Sequence, residues 1–374
     1  MKIVIAPDSY KESMSAKQAC YAIEKGIHQY DSTMETLLCP LADGGEGTLE
    51  TLVEARNGTL VYEEVSGVLF DKIKAPIGYI EDCAIIECAK VCGLELLNEN
   101  QKDPYQTTTL GLGELILKAL DHHVHRLMIC LGGSATNDGG IGMLSALGVK
   151  FYNQYHQPVQ LTMAGLSEIA SIDISNLDKR LHEIEIIGVC DVDNPLCGHQ
   201  GATYIYGGQK GVKAQEMAKI DKDMEAYAKR VDDMLKSDYR LKDGSGAAGG
   251  LGYALLAFCH AKLQKGFDVV SEITQLEEKI KASDCVIVGE GKMDRQTQFG
   301  KTPYGVLQIA KTYHKPVFAF AGKVEDSSLL QEIGFQNIYA ISPLDIPLNI
   351  ALKNGQDYLQ KCVYQHMEEI IHGL

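Results

Sequence analysis

No Cys-x-x-Cys pair, no long apolar run and no excess of positive charge occur in this chain of 374 residues. A membrane helix requires roughly 20 consecutive apolar residues, and no run approaches that length. Lysine and arginine number 35 against 50 aspartates and glutamates, a net charge of −15. That balance argues against a nucleic-acid or anionic-membrane partner. It leaves room for a small anionic ligand held by local cations. The eleven cysteines are odd in number and sit mostly in apolar runs, as at Cys39, Cys130, Cys190 and Cys285. They fit reduced, buried thiols in a cytoplasmic protein, and Cys83, Cys88 and Cys92 read the same way. The first six residues are too short for a signal sequence and read as a first strand. Proline-rich and low-complexity linkers are also missing. What remains is an ordinary globular composition, 45% hydrophobic and 23% charged, at a length that points to about two domains.

Apolar runs ending in Gly, Asp or Ser recur at 2–6, 35–39, 127–131, 185–190, 285–288 and 317–321. Helical patterns lie between several of them. One begins with a capping box, Ser15-Ala16-Lys17-Gln18, and carries the stripe Ala16, Ala19/Cys20, Ile23, Ile27. Another amphipathic pattern covers about 214–236. Strands alternating with helices predict an α/β protein with largely parallel sheets. Residues 59–90 break the alternation with three strand-like runs joined by short turns, the start of an inserted second domain. The expected division is 1–58 plus 284–374 for a discontinuous α/β domain, and 59–283 for the insertion. In open α/β sheets ligands collect at the carboxyl ends of strands, where most of the polar clusters fall.

Residues 132–140, Gly-Gly-Ser-Ala-Thr-Asn-Asp-Gly-Gly, stand between an apolar run and a small-residue helix. Backbone N–H groups at a helix start favour an anion, and glycine admits it closely, so this stretch points to phosphate. Residues 289–303 offer Glu290, Lys292, Asp294, Arg295 and Lys301 before a helix starting near Thr302-Pro303. Phosphoryl transfer needs cations for phosphates, carboxylates for Mg²⁺ and a base for the acceptor hydroxyl. Gly300-Lys301-Thr302 is not a P-loop, because that pattern requires glycine where Arg295 stands. The protein-kinase motifs are absent.

Four further clusters keep two readings each. The stretch 244–249 matches Gly-x-Gly-x-x-Gly but follows no clear buried strand. It reads as the start of a tightly packed helix, or as N–H groups at a phosphate. Asp8-Ser9-Tyr10-Lys11 and Asp43-Gly44-Gly45-Glu46 follow strand-like runs. Either aspartate suits a turn or cap, or a polyhydroxy acid with Lys11 on its carboxylate. Asp191-Val192-Asp193-Asn194-Pro195 is a metal site or an Asx–Pro turn. Lys210 adds one more cation in a loop, 207–211, expected to be flexible. The run Asp121-His122-His123-Val124-His125 lies away from the strand ends and lacks metal-ligand spacing.

Taken together, 6–11, 42–48, 132–140, 191–196, 246–252 and 289–301 resemble the bacterial glycerate kinases that phosphorylate D-glycerate with ATP. They occur in order over most of the chain. The resemblance implies two different α/β domains. One is a discontinuous Rossmann- or flavodoxin-like parallel-sheet domain. The other is inserted into it with a mixed sheet, and the active site lies in the cleft between. It also implies ATP, Mg²⁺ and D-glycerate, with 2-phosphoglycerate as the favoured product. Three positions depart from the pattern. Gly208 stands where proline is expected, which loosens the 207–211 loop. Tyr10 and Glu12 stand where phenylalanine and glycine are usual.

On this resemblance Gly132, Gly133, Ser134, Thr136, Asn137 and Lys301 hold the nucleotide. Asp8, Ser9, Lys11, Asp43 and Glu46 bind glycerate. Asp294, Lys292 and Asp191 form the catalytic set, and Asp191, Glu290 and Asp294 are the Mg²⁺ candidates. Which carboxylate is the base stays open. The expected setting is the cytoplasm, as a monomer or homodimer without nucleic-acid or membrane partners. Two alternatives remain: a kinase for another small hydroxy acid, and a non-catalytic sugar-acid sensor. The sensor is disfavoured by the lack of a helix-turn-helix and of a basic patch.

Overall fold

The computed structural model describes residues 1–298, 301–343 and 345–374. It is α/β, with one wholly parallel sheet and one mixed sheet. The chain forms two compact units: Met1–Asp43, Glu50–Asn57 and Phe267–Leu374 make one; Gly44–Leu49 and Gly58–Gly266 make the other. Sequence reading puts the second junction near 283, whereas the chain changes unit at Gly266. Hydrogen bonds account for the difference. Lys279 Nζ donates to the Leu38 carbonyl at 3.1 Å and Cys39 Sγ to that of Thr274 at 3.9 Å. No helix among the described residues is long and apolar enough to cross a membrane.

The first unit holds a five-stranded parallel sheet in the order Asn337–Ala340, Val317–Val324, Cys285–Met293, Lys2–Ile5, Glu35–Leu38. The helix Ala16–Tyr30 starts with the capping box expected at Ser15 and Gln18. Its apolar stripe, Ile23 and Ile27 included, packs into a core with Ile3, Ile5, Phe318, Phe320, Leu359 and Val363. It lies against the helix Gly355–His372. The approach is close enough that a Cβ on Gly26 would sit 2.6 Å from the Gln360 carbonyl oxygen. One strand exceeds its expected length. Cys285–Met293 continues past Val288, pairing Glu290 with Ala321 and Lys292 with Lys323. Residues 289–293 are therefore strand, and side-chain alternation places Glu290 and Lys292 on one face.

The second unit holds a six-stranded sheet in the order Lys262–Gln264, Glu185–Val189, Arg126–Cys130, Cys83–Glu87, Lys72–Ile80, Thr59–Ser66. The first four strands are parallel and the last two join as antiparallel neighbours. That is the interruption legible at 59–90. A separate two-stranded hairpin pairs Lys150–Tyr152 with Ser171–Asp173. The helix Leu251–Phe258 is apolar all round and buried along its whole length. The amphipathic helix expected at about 214–236 runs Met217–Leu235, with Met224, Tyr227 and Val231 inward.

Candidate active site

In the first unit the polar groups gather at the carboxyl ends of the parallel strands. Asp8 follows Lys2–Ile5. Its Oδ1 accepts from the Ser9 N–H and its Oδ2 from Thr302 Oγ1, both at 2.6 Å. Thr302 opens the helix Thr302–Thr312, with proline at its first turn as expected. Burial pushes Asp8 up to about 6, and the charge of Asp43 adds to the shift. Glu290 accepts from Lys301 Nζ and Thr297 Oγ1, each at 3.2 Å. Burial pushes it up to about 7; Lys301 and Thr297 oppose that rise, while Asp8 adds to it. Asp8 N–H donates to the Gly289 carbonyl at 2.8 Å, which sets the two carboxylates on adjoining strand ends.

Asp294 has the opposite character. Lys292 Nζ lies 3.0 Å from one of its oxygens, and this contact holds its pKa below the usual carboxylate range. Lys292 also meets Glu325 at 2.8 Å, so two carboxylates fix its ammonium and raise its pKa. Lys301 donates to the Lys292 carbonyl at 3.1 Å, tying the strand to the following helix. Gly300, part of the 289–301 stretch, lies outside the described residues. Ser9 is half-buried, and Lys11 and Asp43 are exposed in the same unit. Glu46 is exposed and belongs to the other unit.

The two unusual residues near Asp8 have structural explanations. The Tyr10 hydroxyl is buried and donates to the Phe320 carbonyl at 2.7 Å. Glu12 has φ 61°, a left-handed conformation that suits the glycine usual there.

In the second unit, residues 132–140 form a compact loop between Arg126–Cys130 and Ile141–Ala146. The expectation that the helix start is free for an anion is corrected here. The buried carboxylate of Asp138 already accepts from Gly140 N–H at 3.0 Å, Gly142 N–H at 3.4 Å and Thr109 Oγ1 at 2.7 Å. Ser134, Thr136 and Asn137 are buried, and their side chains bond inward. Ser134 Oγ meets Thr136 Oγ1 at 3.0 Å and donates to the Ala248 carbonyl at 3.2 Å. Asn137 Nδ2 donates to Thr203 Oγ1 at 3.0 Å. What the loop presents outward is Gly132 and Gly133, the latter exposed at φ 74°.

The second glycine stretch packs against the first. Gly139 N–H donates to the Gly249 carbonyl at 3.0 Å, and a Cβ on Gly249 would lie 2.0 Å from the Thr136 carbonyl oxygen. The stretch is the tightly packed start of the helix Leu251–Phe258. Asp191 is exposed beyond Glu185–Val189, with Oδ1 accepting from Gly266 N–H at 2.8 Å.

Sequence reading gave no role to Glu87 or Asp138 and misjudged the setting of Lys210. Glu87, 1% exposed at the end of Cys83–Glu87, accepts from Leu49 N–H at 2.7 Å. A carboxylate closing an apolar run was its only signal. Asp138 was visible in the motif without a role. Lys210 was expected in a flexible loop. It instead ends a 3₁₀ turn and is 2% exposed, with Nζ 2.7 Å from the Thr136 carbonyl oxygen.

A sequence model of the glycerate kinase family matches residues 3–371. The chain is 42% identical to a glycerate kinase of Bacillus subtilis (strain 168), over 96% of this chain and 95% of that protein. It is also 42% identical to the glycerate 2-kinase of Escherichia coli (strain K12), over 96% and 94% respectively. A crystal structure from Salmonella typhimurium LT2, itself assigned only provisionally as glycerate kinase 2, superposes with a TM-score of 0.91 at 42% identity. That match covers 100% of this chain and 99% of the other. With both sheets, the strand-end carboxylates and the glycine loops in place, the chain belongs to the glycerate kinase family and is a phosphotransferase with an alcohol group as acceptor.

Proposed function

We propose that the chain transfers the γ-phosphoryl group of ATP to the 2-hydroxyl of D-glycerate, with Mg²⁺, giving 2-phosphoglycerate and ADP. The observation that carries this reading is a geometric one: Asp8 and Glu290 stand on adjoining strands, bonded to Thr302 and Lys301 at the start of one helix, where burial raises them to about 6 and about 7. A base for an acceptor hydroxyl works best with a pKa near the working pH. Asp8 and Glu290 meet that requirement, whereas Asp294 is held low by Lys292. The name of the Escherichia coli relative supports the 2-hydroxyl.

The remaining roles follow from charge. Asp294 stays ionised and offers hard oxygen donors suited to Mg²⁺, which commonly takes one or two carboxylates and completes its shell with phosphate and water; Glu290 would join it only where Asp8 is the base. Asp191 remains a further candidate donor. Bound Mg²⁺ supplies charge neutralisation on the phosphates. Lys292 and Lys301 stabilise charge on the transferring group, since a loose transition state is met chiefly by positioning and electrostatics. The exposed Gly132-Gly133 backbone suits phosphate oxygens, because no Cβ blocks approach and φ is positive at Gly133. Lys11, Ser9 and Asp43 bind the acid and its hydroxyls, and Glu46 remains a further candidate for that role. Eleven cysteines with no disulfide among them support a cytoplasmic setting.

The test is ADP release dependent on both D-glycerate and Mg²⁺. Phosphorus–proton couplings in the product distinguish a phosphate on the C2 methine from one on the C3 methylene. Absence of glycerate-dependent ADP overturns the reading; coupling to the methylene protons overturns the 2-hydroxyl assignment.

A further inference from the structure

The 132–140 loop contains one charged residue of its own, Asp138, and that charge is negative. A buried carboxylate behind the loop works against an approaching phosphate. The compensating cation comes from a separate segment. Lys210 Nζ donates to the Thr136 carbonyl at 2.7 Å and lies 3.4 Å from Ser134 Oγ. Ser134 follows the exposed Gly133, so the ammonium stands directly behind the outward-facing turn. Cys88, whose Sγ donates to the Gly132 carbonyl at 3.2 Å, and Cys92 also face Lys210, along with Asp138. Among the described residues no carboxylate lies within ion-pair distance of it.

An amine buried without an ion pair is an electrostatic burden on the fold. Burial holds Lys210 down at about 8, against 10.5 for a free lysine; Cys88, Cys92 and Asp138 act in the other direction. The folded value is below the unfolded one. Its stabilising contribution is therefore present above about 10.5 and lost as pH falls through about 8. At neutral pH the charged Lys210 opposes folding, and perturbed groups of this kind concentrate at functional sites.

We propose that Lys210 is a positioning residue for phosphate, holding the Ser134–Thr136 turn from behind and supplying the positive charge that lets the Gly132-Gly133 backbone accept an anion. The proposal rests on the reading of this loop as the nucleotide phosphate site. It gives a purpose to a lysine whose neighbouring Gly208 breaks the usual motif. The 3₁₀ turn and the bond to Thr136, rather than a proline, fix its place.

Calorimetric titration of the full chain with Mg–ATP and with ADP, from pH 7.5 to 9.5, tests it with Lys210→Met and Lys210→Arg. In the unmodified protein affinity weakens as pH rises through about 8. In Lys210→Met it is roughly 10–100-fold weaker, the range of one charge-assisted hydrogen bond, and flat across that range. KM for ATP rises by a similar factor while kcat changes less. The melting temperature of Lys210→Met at pH 7 equals or exceeds that of the unmodified protein. Lys210→Arg restores binding and removes the alkaline loss. Unchanged nucleotide affinity in a folded Lys210→Met overturns the proposal and leaves the loop reading intact. A lowered melting temperature with no change in pH profile also overturns it, in favour of a purely structural role. An unmodified protein that binds neither nucleotide overturns the loop reading and the proposal with it.

Discussion

Asp8, Glu290 and Asp294 are three carboxylates from neighbouring strand ends with divergent proton affinities. Burial raises the first two, and an ammonium contact lowers the third. A general base must be ionised to accept a proton, so kcat falls as pH drops below about 7. Asp8→Asn and Glu290→Gln each lower kcat by about 10²–10⁴, the usual range for a positioned base; steady-state rates at pH 7.5 check this. Stability carries the opposite sign. A carboxyl raised in the folded state contributes stability below its unfolded value, lost as pH rises through about 6 for Asp8 and 7 for Glu290. Glu290→Gln therefore melts at or above the unmodified protein at pH 7.5, even as turnover collapses. Glu12 supplies a second prediction at this scale. Its left-handed backbone costs about 1–2 kcal/mol relative to glycine. Glu12→Gly raises stability in urea by about that amount, less glycine's added freedom in the unfolded chain.

Elements decide which of these side chains meet. The strand Cys285–Met293 runs in register with Val317–Val324 as far as Met293 and Val324, and this carries Glu290 and Lys292 out in alternate positions. The helix Ile141–Ala146 has its first N–H groups bonded by Asp138, so the nucleotide is expected at the exposed turn rather than at the helix end. Asp138→Ala leaves several buried donors unmatched and costs about 3 kcal/mol or more, read from the urea midpoint. The pairing of Ala16–Tyr30 with Gly355–His372 needs a residue without a side chain at the crossing. Gly26→Val drives carbon into Gln360 and Val363 and lowers stability by about 1–3 kcal/mol, again visible in urea unfolding.

For the whole molecule, none of the eleven cysteines is in a disulfide, and most of them are buried. Burial holds Cys259 and Cys285 up at about 12. The melting temperature is therefore the same with and without reductant, and alkylation after denaturation adds eleven groups by mass. A net charge of −15 does not prevent a phosphate ligand, because each unit keeps its own cations: Lys292 and Lys301 in one, Lys210 in the other. Local charge at a few ångströms outweighs a distributed charge screened by salt.

The sequence by itself determined the family, the α/β class, the strand-like runs, the capping box at Ser15 and the proline-led helix at Thr302. Each of these is written in short-range chemistry: apolar periodicity, cap residues and glycine spacing within a few positions. Direction and depth were another matter. That Ser134, Thr136 and Asn137 turn inward, that Asp138 closes a helix end, and that Lys210 is buried seventy residues from the loop it supports depend on partners distant in the chain. So does the divergence by which the proton affinity of Glu290 is raised and that of Asp294 lowered, since strand register and burial set the surroundings of each carboxylate. Only the tertiary structure decided those points, because desolvation and charge contact are properties of a packed neighbourhood and not of a motif.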